Sequence, residues 1–162
     1  MGGFLVDRPG VVAWPVMSGN QHSSDSERRA RRAAKQLEKD PRVRLVYLFG
    51  SAADQAVASP RDIDLAILTR PPLSLDERLR LRADLVAGGV PGLDLVSLSD
   101  ASVTLAHEVA DHGICLFARS AEEEVAFVTR ARARFWDFAP YLAEQWRAAG
   151  ERLEHRRHGS EA

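Results

Sequence analysis

The sequence predicts an α/β-type fold, one small sheet with helices packed against it. Two observations carry this. Short apolar runs rich in Val, Ile, Leu and aromatic residues alternate with stretches that carry helix start and stop signals. The chain has 162 residues, enough for one compact domain with its own core and too few for two comfortable ones.

The elements follow in order. "SDSERRARRAAKQLEKD" reads as a helix, with Ser24 as cap and Glu27 three residues later. Its arginines (28, 29, 31 and 32) read as a solvated face rather than an RNA or phosphate contact. "VRLVYLF" (43–49), "RDIDLAIL" (61–68), "LDLVSL" (93–98) and "ICLFA" (114–118) read as strands by length and content. A helix over 74–89 starts at Ser74, has Glu77 at the capping-box position and stops at Gly88-Gly89. Another over 102–113 closes at Gly113. The last helix runs from Glu122 to about Arg152, with apolar residues at Val128, Ala131, Phe135, Phe138, Leu142 and Ala149. Pro140 is expected to kink or divide it. Residues 1–24 read as a flexible extension, 25–152 as the domain with its C-terminal helix, and 153–162 as a polar tail.

Composition narrows the function. A net charge of −1 argues against binding nucleic acid or membrane through whole-chain charge. Cys115 is the one cysteine, so no internal disulfide forms; it reads as a small buried residue. No apolar run approaches the roughly 18 residues of a membrane span. The start lacks a basic region and is broken by Pro9 and Pro15, a poor signal peptide. The expected location is the cytoplasm.

The chemistry concentrates in "YLFGSAADQAVASPRDIDLAIL". Strand side chains alternate, so Asp62 and Asp64 are expected on one face, about 7 Å apart, with Ile63 opposite. Two carboxylates in an apolar strand need a cation or a proton, because unpaired buried charge is costly. Mg²⁺ is held by one or two carboxylates, with phosphate and water completing its shell. Gly50 permits close backbone approach, Ser51 adds a hydroxyl, and "SAADQAVA" could begin a short helix facing a phosphate. Asp94, near the start of another strand, is a candidate general base or second-metal ligand. The alternative for Asp94 is a plain strand-edge cap.

Gly50-Ser51, ten residues, then Asp62-Ile63-Asp64 resembles the G-S-x10-D-x-D signature of the DNA polymerase β-like nucleotidyltransferase superfamily. The small size and the tail "ARARFWDFAPYLAEQW" resemble its minimal nucleotidyltransferase (MNT) branch, and within it the antitoxin of the HEPN/MNT toxin–antitoxin type. The resemblance covers roughly residues 25–150. It implies a small mixed β-sheet flanked by helices. It implies nucleotide-phosphate contacts from Gly50 and Ser51, and a catalytic, metal-holding triad of Asp62, Asp64 and Asp94. The implied cofactor is Mg²⁺, two ions, with ATP as substrate. The implied activity is transfer of AMP to a tyrosine hydroxyl of a HEPN ribonuclease toxin, in a type VII-like pair that forms a hetero-oligomer without binding nucleic acid directly. Many relatives carry arginines just after Gly-Ser, where this chain has Ala52, Ala53, Asp54, Gln55 and Ala56. A weaker hold on the donor is expected unless Arg61 compensates.

Two other readings share the motif. One is a small-molecule nucleotidyltransferase of aminoglycoside-modifying type, although such enzymes usually add a substrate domain. The other is an antitoxin that acts by binding alone. His107 and His112 are five apart, which is not a zinc-pair spacing, and read as surface or capping residues. Tyr47 reads as core. Trp136, Tyr141 and Trp146 lie beside the apolar stripe and read as a partner surface or additional core.

Overall fold

The computed structural model describes residues 25–53 and 62–158, excluding the side chains of Gln145, Trp146 and 148–158. The expected cap at Ser24, the 1–24 extension and Arg61 lie outside the described residues, as do Asp54, Gln55 and Ala56.

The elements run α1 (Asp25–Leu37), β1 (Val43–Phe49), a 3-10 turn (Gly50–Ala52), β2 (Ile63–Thr69), α2 (Leu75–Ala87), β3 (Leu93–Ser97), α3 (Val103–His112), β4 (Ile114–Ala118) and α4 (Ala121–His158). The four strands form one sheet in the order β3-β2-β1-β4. β1 pairs antiparallel with both β2 and β4, while β2 and β3 are parallel. The sheet is therefore mixed, as expected. Parallel neighbours need a crossover, and α2 supplies it.

Strand alternation divides the core in two. Ile63, Leu65 and Ile67 face α1 and α2, packing with Ala30, Ala33, Leu37 and Leu85. Ala66 and Leu68 face the opposite way, with Leu45 and Tyr47, toward Val109 of α3 and Phe127 and Ala131 of α4. Three of the five buried positions of α1 are alanines, small enough for close approach to its face of the sheet.

Local signals explain the boundaries. Ser74 and Glu77 form a complete capping box: the Glu77 amide donates to Ser74 Oγ at 3.3 Å, and the Ser74 amide donates to Glu77 Oε2 at 2.8 Å. Ser102 caps α3 by accepting from the Leu105 amide at 3.1 Å. α3 and α4 are joined by Asp111, which accepts from Arg132 Nε at 2.7 Å and lies 3.3 Å from His107. His107 also stacks on Phe135 with ring centroids 3.8 Å apart, so it is an interhelical contact rather than a cap.

Three expectations change. Strand β2 begins at Ile63, so Asp62 sits in the bend before the strand rather than within it. Pro140 does not divide α4, which continues to His158, past the expected end near Arg152. Pro140 is exposed, and the one hydrogen bond a mid-helix proline removes leaves no buried group unpaired there. The apolar stripe of α4 is fully buried only at its start: Phe127, absent from the expected stripe, and Ala131 are buried, whereas Phe138 is 37% exposed. Beyond Phe135, Ala139 and Leu142 are half-buried and the other described side chains are exposed.

Candidate active site

β1 ends at Phe49, which pairs with Asp64 across the antiparallel ladder. The chain then turns sharply through Gly50, whose φ is +67°. L-residues avoid that region. A Cβ at Gly50 would lie 2.6 Å from Oδ2 of Asp64. Glycine is thus required twice, for the backbone angle and for room beside the carboxylate. The Ala53 amide donates to the Gly50 carbonyl at 3.0 Å, closing the 3-10 turn and leaving Ser51 exposed. Where a phosphate-facing helix was expected, the described part is this three-residue turn; the rest lies outside the described residues.

Asp64 is half-buried on the central strand β2. In the parallel ladder it stands in register with Asp94 on the edge strand β3. Asp62 and Asp94 are both exposed. Burial first, and then the charges of Asp94 and Asp62, push the Asp64 carboxyl above the usual carboxylate range. Asp64 therefore feels the charge of both other carboxylates.

Sequence reasoning missed the cation of this cluster. Arg82 reaches from α2, donates from Nε to the Leu93 carbonyl at 2.8 Å and stands 3.7 Å from Oδ1 of Asp94. Asp94 Oδ1 also accepts from the Leu95 amide at 3.0 Å. Nothing in the charged text of α2 distinguishes Arg82 from its neighbours; only the crossover brings it to β3.

The donor set suits a hard cation. Carboxylate oxygens on adjacent strands, a mutual repulsion at Asp64 and a bare glycine backbone alongside are what an Mg²⁺–phosphate pair requires. The site is open rather than a finished cage: among the described residues, no group of three or more His, Cys, Asp or Glu is gathered into a metal-holding cluster. Phosphate and water would complete the shell.

Tyr47 and Cys115 are not part of this site. Tyr47 is core and donates to Glu124 Oε1 at 3.3 Å. Burial, and then Glu124, push the Cys115 thiol up to about 12, in keeping with an inert packed residue.

A strand, a glycine turn and a second strand carrying such carboxylates form the candidate site. The sequence matches the Polymerase beta nucleotidyltransferase family over residues 32–122, and the chain belongs to that family. It is 32% identical over 85 residues to the protein adenylyltransferase MntA of Shewanella oneidensis, a match covering 52% of this chain and 61% of that protein. The matched stretch is thus less than two thirds of the relative's length. The fold is similar to a chain in the structure of the tri-AMPylated Shewanella oneidensis HEPN toxin in complex with MNT antitoxin (TM-score 0.60, 24% identity, 80% of this chain and 98% of that one). It is also similar to a chain of a toxin–antitoxin structure with AMP-PNP (TM-score 0.61, 25% identity, 76% and 98%). Among the described residues, no helix is long and apolar enough to cross a membrane.

Proposed function

We propose that this chain is a Mg²⁺-dependent adenylyltransferase that acts in the cytoplasm as the antitoxin of a HEPN/MNT pair, moving AMP from ATP to a tyrosine hydroxyl of a HEPN ribonuclease. The observation that carries the reading is the Gly50–Asp64 contact, with Asp94 in register beside it. The relation to MntA, itself a protein adenylyltransferase, supplies the nucleotide and the protein acceptor.

Asp62 and Asp64 would hold the metal, with Asp94 as general base or second-metal ligand. When bound, Mg²⁺ neutralises phosphate charge and helps align the triphosphate for in-line displacement. Gly50 lets the backbone approach the phosphates, and Ser51 donates its hydroxyl to them. Asp94 takes the proton of the acceptor hydroxyl as its oxygen bonds the α-phosphorus. The bond to the β-phosphate breaks, and pyrophosphate leaves. Arg82, bonded to the Leu93 carbonyl and 3.7 Å from Oδ1 of Asp94, sets a positive charge beside that carboxylate.

The test is mass spectrometry of a HEPN-domain protein, sought in the gene adjacent to this chain's, after incubation with this chain, ATP and Mg²⁺. The expected result is a gain of one or more AMP units, absent with the Asp62→Ala/Asp64→Ala double variant. No gain with wild type, where a known relative works, refutes the enzymatic reading. Protection of cells by the double variant as complete as by wild type would establish neutralisation by binding alone.

A further inference from the structure

A cavity of about 300 Å³ opens at the other end of the sheet face that carries Asp64. Asp64, Ala66 and Leu68 share that face by strand alternation. The cavity begins at Leu68, Thr69 and Arg70, four or more residues beyond Asp64 and so roughly 13 Å along the strand. Buried Ala66, packed within the α3–α4 side of the core, lies between. The two sites are separate.

The cavity has two distinct surfaces. Leu98 and Phe127, both buried, give it an apolar lining. Arg70, Arg130 and Arg134 edge it, and all three are exposed. Arg130 and Arg134 are one helical turn apart on α4, while Arg70 enters from the end of β2. The carboxylate in the lining, Glu123, is already engaged: it accepts from Arg44 Nε at 2.7 Å. Among the described residues, no acidic side chain pairs with Arg70, Arg130 or Arg134. Three unneutralised guanidinium groups around one concavity attract an anion, and their planar forks match phosphate oxygens. The apolar lining adds a requirement that free phosphate does not meet. Pockets of this size take one small molecule, with most of its surface buried against apolar side chains and a few polar groups fixing its orientation.

We propose that this cavity is a second ligand site, for a small organic phosphate of nucleoside-monophosphate size, with the phosphate on the arginines and the apolar body against Phe127 and Leu98. The inference does not depend on the catalytic reading.

The experiment is residue-resolved NMR of the full chain in EDTA, titrated with AMP and separately with inorganic phosphate. AMP is expected to shift the amides of Ser99, Phe127 and Arg130, and inorganic phosphate to bind there at least about tenfold more weakly. Arg130→Gln/Arg134→Gln, and independently Arg70→Gln on the other element, should each weaken that AMP response about tenfold or more. Three results overturn the proposal: shifts confined to Gly50, Ser51 and Asp64; inorganic phosphate binding as tightly as AMP; or unchanged AMP affinity in a folded arginine variant.

Discussion

Gly50 and Asp64 crowd each other: a Cβ on Gly50 would lie 2.6 Å from Oδ2 of Asp64, so a methyl group there forces the carboxylate to shift. Gly50→Ala therefore adds a steric clash to a positive φ. The backbone cost alone is about 1–2 kcal/mol. Adenylyl transfer should fall about 100-fold or more, since a displacement of this order at a reacting group has that effect. Thermal denaturation should show a loss of only a few degrees. A variant with normal rate would refute the close-approach role of Gly50.

The crowding at Asp64 yields a second expectation. Its folded pKa is raised, so the ionised group opposes folding once pH rises through the ordinary carboxylate range. The opposition is complete above the raised folded value and absent at lower pH. Asp64→Asn should then raise the neutral-pH melting temperature without metal, by about 1–3 °C. Added Mg²⁺ should stabilise wild type and not the variant. Equal metal-induced shifts in both, by scanning calorimetry, would remove Asp64 from the metal site.

The capping box predicts acid sensitivity. The Ser74 backbone amide first, then Arg42 and the Ser74 hydroxyl, hold the Glu77 carboxyl at about 2 against an ordinary 4.5. A depressed carboxylate contributes stability that is fully present above the ordinary value and is lost as pH falls through the folded one. Glu77→Gln should flatten the stability-against-pH curve between those two values, with its loss of stability full above the ordinary value and vanishing as pH falls to about 2. Urea denaturation across that range is the measurement.

The aromatic part of α4 should meet the partner. Trp136 is 70% and Tyr141 64% exposed, and large exposed aromatics are typical interface anchors. Trp136→Ala/Tyr141→Ala should leave folding intact and weaken binding of the HEPN protein by about tenfold or more. Unchanged affinity and unchanged Trp136 solvent protection on adding the partner would assign this patch another role.

Much of the fold was legible because its signals are local. Ser74 with Glu77, and Ser102, act within one turn of chain, and the strands of Val43–Phe49 and Ile114–Ala118 are bounded as their apolar runs indicate. Errors arose where distant packing decides. Phe127 is buried because β1 and α3 lie beside it, which helical periodicity alone does not reveal. Asp62 reads like Asp64 in the text, yet the ladder starts one residue later, where Ile63 takes its hydrogen bond from its amide to the Gly92 carbonyl.

The sequence by itself determined the residue types and their spacing: a glycine and serine closing one strand, carboxylates opening the next, and a third carboxylate on a later strand. Those features depend on backbone alternation and turn chemistry, which act over a few residues. Only the tertiary structure decided that Asp64 and Asp94 stand in register, that Asp64 is crowded, and that Arg82 answers Asp94. It alone gathered Arg70, Arg130 and Arg134 around one cavity. Strand order and helix packing set those distances, and electrostatic energy depends on distance in space rather than along the chain.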